Sequence, residues 1–485
     1  ENADVETPIG SSKQAVEPLS NYFVSRIQKD YNNSNTILGG MLTATNRKIE
    51  DEHLKSLNRS AYTGGVDFRH YWHNKTYYID AKGVFSSITG DPQAILALQT
   101  ASARYFQRPD ADHVSIDSSA TDLQGAGATI DVGKGGNGNW RWNLSGNFRS
   151  PGLDFNDIGY LQQADVAELS GGIAYVQNVP QGIFRTFSIE SGYENTWDMD
   201  RTFLNARYRI EFHGDFRNKW QFFANAYHET NQLDTRLLRG GPAVNTKGWL
   251  HNMYRISTDH SKKLSLGAMV HWHFHYDDIS KTFSTNPFFN WKITNSLQFT
   301  SDIDYSKTRT ALQYINTLDI QTDKRYILGE LDRETLGMTF RLDYTITPEL
   351  TIQYYGNPYV SVGQYRNIKR IIDPRANSYD QLYHIFDENE IIYDQASNAY
   401  HIDETADGQI DYSINNPDFN FKEFRSNLVI RWEYKLGSTL YFVWTHGRSQ
   451  WDNMSTSSLA KGLAGLYDSS PDNLFLIKFN YWFSL

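Results

Sequence analysis

Leu474-Phe-Leu-Ile-Lys-Phe-Asn-Tyr-Trp-Phe-Ser-Leu485 reads as a β-strand of an unusual kind. Phe475, Ile477, Phe479, Tyr481, Phe483 and Leu485 fall on one face, while Lys478, Asn480 and Ser484 share the other with Leu474, Leu476 and Trp482. A soluble sandwich also alternates, but its buried face seldom carries so many aromatics in a row. A strand that crosses a bilayer does, because every second side chain meets lipid.

The same period of two recurs upstream, with polar partners that a dry core would reject. Leu204, Ala206, Tyr208, Ile210 and Phe212 alternate with Asn205, Arg207, Arg209, Glu211 and His213. Leu336, Met338, Phe340, Leu342, Tyr344 and Ile346 alternate with Thr335, Thr339, Arg341, Asp343 and Thr345. Leu428, Ile430, Trp432 and Tyr434 alternate with Asn427, Arg431, Glu433 and Lys435. Each segment is about the 9–11 residues that a tilted strand needs to span the hydrocarbon.

Composition agrees. The 485 residues are 14% aromatic but only 39% hydrophobic, with a mean hydropathy of −0.58. No apolar run approaches the ~18 residues of a transmembrane helix. The net charge of −10, without a Lys/Arg run, argues against a nucleic-acid partner, and the absence of Cys removes thiol chemistry.

Connections sort by length. Asn74-Lys75, Gly135 to Gly138, Pro180 to Gly182, Pro348-Glu349 and Gly437-Ser438 are short and carry turn residues. Between them lie Ile49 to Ser60, Thr89 to Gln124, Arg149 to Val166, Asn231 to Thr246, Lys307 to Lys324, Arg366 to Lys422 and Gly447 to Asp472, all long. This pattern predicts an all-β chain, a large antiparallel transmembrane β-barrel of the bacterial outer membrane with long extracellular loops and short periplasmic turns. The count is about nineteen strands or more. Residues 1–20 read as an N-terminal loop and residues 21–485 as the barrel, the C-terminal part of a larger protein. Since bacterial barrels have even strand numbers, an N-terminal fragment or a partner chain is expected to complete it, with outer-membrane lipid and lipopolysaccharide as surrounding partners.

Several segments resemble a family of large outer-membrane barrels of Bacteroidota. They are Asn21-Tyr-Phe-Val-Ser-Arg-Ile27, Gly39-Gly-Met-Leu-Thr-Ala-Thr-Asn-Arg47, Tyr105-Phe-Gln-Arg-Pro-Asp110, Ser150-Pro-Gly-Leu-Asp-Phe-Asn-Asp-Ile-Gly159, Arg239-Gly-Gly-Pro242 and Val429 to Trp444. The resemblance implies a family without assigned activity, whose members usually carry an N-terminal domain like carbohydrate-binding module family 9. That module is not among these residues, and the family supplies no catalytic residue to transfer. Glycan-related work is its only functional hint.

Four constellations could carry chemistry. His271, His273 and His275 share one face of a strand, opposite Trp272 and Phe274, and two His at i and i+2 can chelate a metal with help from His213 or Glu211. The bland alternative is a wet wall. Asp403, Thr405, Asp407, Gln409 and Asp411, with Gly408 at position six, resemble part of a Ca²⁺ loop, although Ile414 stands where the loop needs a carboxylate. Asp91-Pro92 opens a predicted helix over Gln93 to Arg104 that either constricts the mouth or packs a loop. Arg207, Arg209, Glu211, Arg341, Asp343, Arg431 and Glu433 face the interior by phase, either as a field across a channel or as a self-satisfied network.

No nucleophile elbow, phosphate loop or zincin motif is present. The expected function is a pore, conduit or scaffold of an outer-membrane complex. An outer-membrane hydrolase with a loop-borne site, or a surface adhesin or glycan-binding barrel, are the alternatives.

Overall fold

The computed structural model describes residues 2–7, 10–320, 323–452 and 458–483. Ser484 and Leu485, the end of the stretch that decides the fold, lie outside them. The chain is all-β, a large antiparallel barrel to which twenty strands contribute among the described residues. One of these, Tyr383–Ile385, is only three residues long, so the long strands number nineteen, as the sequence suggests. No helix among the described residues is long and apolar enough to cross a membrane.

Two compact units make up the chain. The first contains seven consecutive long strands from Leu19–Tyr31 to Val166–Gln177, each paired antiparallel with the next. Leu42 stands opposite Gly64, Gly64 opposite Phe85 and Phe85 opposite Ala126. That row belongs to the outward face, where Leu42, Tyr62, Val66, Phe85, Ile130 and Leu144 are exposed. Hydrophobic exposure on this scale is a liability in water and a requirement in lipid.

The second unit holds nine long strands from Trp249–Ser257 to Asp472–Asn480. Leu474–Phe479 pairs with Leu440–Thr445 and keeps its aromatic face outward. The strands Phe184–Trp197, Phe203–Phe216 and Gln221–Glu229 fall partly in each unit.

The structure corrects the sequence reading in three places. Residues 2–7 and 10–15 are not loop but paired strands, Asn2–Thr7 against Gly10–Ala15. Residues 307–320 and 323–324 are not loop either: strand Leu297–Ile320 pairs with Asp323–Thr347 up to Ile320 opposite Asp323. Strand Leu350–Ile371 extends beside them. At ~3.3 Å per residue, 24 residues give about 80 Å of strand, more than twice what the bilayer requires. Third, the helix is Pro92–Thr100, and Asp91 does not cap it with its side chain; the carboxylate faces Arg59 at 3.5 Å instead.

Within the first unit, the connections 73–76 and 135–139 are short, whereas 90–121 and 150–165 at the opposite strand ends are long and carry structure of their own.

Candidate functional site

Two loops of the first unit fold back onto the polar face of its sheet. Helix Pro92–Thr100 inserts Ile95, fully buried, against Ala61, Ile88 and Leu123, with Leu98 and Phe106 beside it. The loop 150–165 lays Leu153, also fully buried, on Val84, with Leu161 and Ala164 behind it. Glycine makes this approach possible: a Cβ on Gly125 would stand 2.0 Å from the Leu153 backbone nitrogen. Ser150 and Ala126 exchange two hydrogen bonds, Ser150 N to Ala126 O at 2.9 Å and Ala126 N to Ser150 Oγ at 2.8 Å. The Asp154 N–H donates to Ser86 Oγ at 3.0 Å.

A buried cation locks the two loops together. The Arg104 side chain is 0% exposed and its partner Asp154 is 3% exposed, at 2.7 Å. The same guanidinium donates to the carbonyls of Leu98 at 3.0 Å, Pro151 at 3.2 Å and Leu153 at 2.7 Å. Most donors of the fork therefore have partners, as a buried arginine demands. Around it, Arg47 pairs with Asp157 at 2.5 Å, Asn58 donates to Asp157 at 3.1 Å, and Ala243 N donates to Asp110 at 2.9 Å.

These ties gather four of the stretches on which the family resemblance rests: 39–47, 105–110, 150–159 and, through Ala243 and the packing of Gly240 on Gln107, 239–242. They are far apart in sequence, and only the fold brings them to one place. A polar cavity of about 660 Å³ opens among them, lined by Arg47, Asn58, Asp157, Tyr160, Gln162 and Arg236. A second, of about 420 Å³, lies between the wall and the loop, with Thr43, Lys82 and Phe155 in its lining.

The interior charges pair along the wall. Arg207 binds Glu229 at 2.7 and 2.9 Å and Arg209 binds Glu190 at 2.5 Å, while Glu211 accepts from Tyr227. Arg341 lies over the Tyr355 ring at 5.8 Å, Asp343 accepts from Gln353 at 3.1 Å, and Arg431 binds Glu433 at 2.8 Å. The partners sit on the same strand or the next one, which fits a self-satisfied network. Arg149–Glu168 repeats the pattern, while Arg26 reaches Asp67 across the intervening strand, over Gly39.

His273 and His275 approach Nε2 to Nε2 at 3.1 Å, and His275 Nδ1 faces the Lys247 carbonyl at 3.4 Å. With Nδ1–H directed at that carbonyl, one proton between the two Nε2 atoms makes an ordinary hydrogen bond. Beside His271 and His273 stands a fourth histidine, His251, opposite His273 on the paired strand and 5.4 Å from the His271 ring, in place of the expected His213 or Glu211. Among the described residues, no group of three or more His or acidic side chains stands ready to hold a metal.

In the longest connection, the strands Ile391–Asp394, Ala399–Ile402 and Tyr412–Asn415 form a small sheet. Its buried Ile402 and Ile414 pack with Ile327 and Ile368 from the projecting strands. The calcium-like segment is the hairpin loop of this lobe. Asp403 accepts from Gly408 N at 2.7 Å and Asp407 N at 3.2 Å, Asp407 accepts from Gln409 N at 2.9 Å, and Asp411 accepts from Glu404 N at 2.8 Å. Thr405 donates weakly to Asp403 at 3.4 Å. The carboxylates thus cap backbone N–H groups of their own turn and do not converge on one point. Glu404, which carries no role in the sequence reading, does the structural work here. It takes Arg325 at 3.0 Å and Arg370 at 3.3 Å, and it accepts from Tyr412 at 2.5 Å. Burial and that bond push the Tyr412 hydroxyl up from its ordinary value.

Strands of this length, an exposed apolar outer face and a paired polar inner face define an outer-membrane β-barrel with loops folded inward. The chain belongs to the family DUF5916, described as a domain of unknown function, whose model matches residues 3–484. No match to a curated protein is found. Similar solved structures include the FrpB iron transporter from Neisseria meningitidis, F3-3 variant, at 8% identity and a TM-score of 0.43, covering 88% of this chain and 76% of that one. The siderophore receptor PirA from Acinetobacter baumannii is also 8% identical with a TM-score of 0.39, covering 89% and 74%. A single-substitution mutant of the ferric enterobactin receptor PfeA from Pseudomonas aeruginosa, at 8% identity and a TM-score of 0.41, covers 93% and 72%.

Proposed function

We propose that this protein is a solute conduit of the outer membrane, restricted by its own inward loops. The observation that carries the reading is the docking of the 90–121 and 150–165 loops on the polar wall, fixed by the buried Arg104–Asp154 pair. A scaffold has no need of loops packed against its inner face, whereas a conduit gains selectivity from them. The cavity of about 660 Å³ among these loops offers amide, carboxylate and guanidinium groups beside the exposed Tyr160. That lining suits small polar solutes, saccharides included, which is where the glycan hint of the family resemblance finds chemical support.

Planar-bilayer recordings of the purified chain, paired with liposome swelling in mono- and disaccharides, test this. Discrete conductance steps that widen when residues 92–118 are replaced by a short Gly/Ser linker support the conduit. No current and no swelling from either form would refute it and favour the scaffold.

A further inference from the structure

The second unit carries a cavity of about 770 Å³, most of whose lining side chains belong, by phase, to the outward face of the sheet. Strand pairing puts its lining in rows: Trp272 opposite Phe283, Phe283 opposite Lys307, Lys307 opposite Glu334, and Glu334 opposite Val362. One step further from the bilayer, Phe274 faces Lys281, Lys281 faces Arg309, Arg309 faces Asp332, and Asp332 faces Gln364. Alternate residues share a face, so Trp272, Phe274, Phe283 and Tyr305 turn the same way as the cations. Trp272, Phe274 and Phe283 are 43%, 40% and 37% exposed, as members of an aromatic girdle are.

The cavity is therefore amphipathic. One side is aromatic, with Trp272, Phe274, Phe283 and Tyr305 at the girdle, and the other carries Lys281, Lys307, Arg309 and Arg366 against the carboxylates of Asp332 and Glu334, with Glu330 on Arg309 at 2.7 Å beyond them. Lys307 pairs with Glu334 at 2.6 Å and Arg366 with Asp332, while Lys281 has no carboxylate partner among the described residues. Ser458 and Leu459, at the start of the short helix Leu459–Ala464, close one side.

An ordinary rim of cross-strand ion pairs explains the charges, yet it does not explain a hollow of this size. Nor does it explain a cation left over where the wall meets the interface. The chemistry that fits is an acyl chain on the aromatic side and a phosphate on the cationic side.

We propose that this hollow seats the headgroup of a phosphate-bearing lipid of the outer leaflet, with its phosphate against Lys281, Lys307 and Arg366 and its proximal chain along Trp272 and Phe283. Basic residues at a membrane surface attract anionic lipid by about 1 kcal/mol each, about fivefold in affinity. Lys307 and Arg366 already face Glu334 and Asp332, so the net preference expected is that of Lys281, about fivefold.

Native mass spectrometry of the full chain, released from mixed micelles with palmitoyl-oleoyl phosphatidic acid or with the matching phosphatidylcholine, reads this directly. Phosphatidic acid is expected to be retained at a stoichiometry of one and to outlast the choline lipid at rising collision energy. K281E, a change at an exposed and unpaired side chain that folding tolerates, is expected to weaken retention at least fivefold. The triple variant K281A/K307A/R366A is expected to abolish the preference. Equal retention of the two lipids, or an unchanged preference in both variants, overturns the proposal. So does full displacement of the lipid by millimolar inorganic phosphate, which would make free phosphate the ligand.

Discussion

Replacing Arg104 by methionine is the sharpest perturbation of the docked loops. The guanidinium is wholly enclosed and makes bonds of 2.7 to 3.2 Å to one carboxylate and three carbonyls. Methionine fills part of the volume but satisfies none of these acceptors, and it strands the Asp154 charge at 3% exposure. Breaking a buried pair from one side costs about 3–5 kcal/mol. At 1.4 kcal/mol per factor of ten, that is about a 150- to 4,000-fold rise in the equilibrium for loop opening. The barrel wall does not depend on this pair, so the change is local. Hydrogen exchange followed by mass spectrometry should show peptides covering 92–106 and 150–161 losing protection by that factor while 122–134 keeps its own. Single-channel recordings should show larger or noisier conductance. Pairing R104M with D154L removes the stranded charge and should recover most of the protection. Unchanged exchange in R104M at both loops would refute the claim that this pair holds them on the wall.

Four further outcomes follow from the same geometry. Gly125→Val places side-chain atoms where the Leu153 backbone lies, an overpacking cost of about 1–3 kcal/mol, and protease sensitivity within 150–165 should rise while the barrel stays intact. Glu404→Ala leaves Arg325, Arg370 and the Tyr412 hydroxyl without their shared acceptor; limited proteolysis should then cut within 387–411, and resistance equal to the parent would count against the tie. Asp394 is held below its usual 3.8 by Ser397 and Ala396 donors, and Asp403 by Gly408 and Asp407 N–H groups that outweigh its desolvation. Because both folded values are depressed, their contribution is complete above about pH 4 and is lost as the pH falls through the lower folded values. Corrected exchange of 394–411 should therefore accelerate at pH 3 relative to pH 5, and equal rates would refute this. Finally, since the Asp403 carboxylate already accepts backbone bonds, EDTA and added Ca²⁺ should leave the lobe's melting temperature unchanged, and a shift of several degrees would restore the cation site.

The wall of this barrel was legible because lipid writes a regular signal: Leu336 to Ile346 must alternate wherever one face meets hydrocarbon. The upper halves of the projecting strands were not legible. Above the bilayer, Lys307, Arg309, Asp332 and Glu334 occupy the outward positions, so water on both faces erases the contrast that marks a strand. Turn chemistry marked short connections such as Pro348-Glu349 and Gly437-Ser438 correctly. The candidate site divided in the same way. Asp91-Pro92 announced a helix, but nothing local says that Ile95 turns inward onto Ile88, and the bond from Arg104 to Asp154 spans 50 residues. Glu404 sits in a loop whose other oxygens look like ligands, while its partner Arg325 lies 79 residues earlier. The neighbour of His273 proved to be His251, because strand register, and not sequence distance, selects who meets whom.

The projecting strands make the lobe a continuation of the wall. The ladder from Leu297 opposite Tyr344 to Ile320 opposite Asp323 is one hydrogen-bonded ribbon with only two irregularities. A body carried on such a ribbon cannot swing on a hinge as one on a flexible tether does. A twist or pull applied by anything that grips its tip travels down the ladder as a lever stroke, and the wall beside the lipid is what must yield.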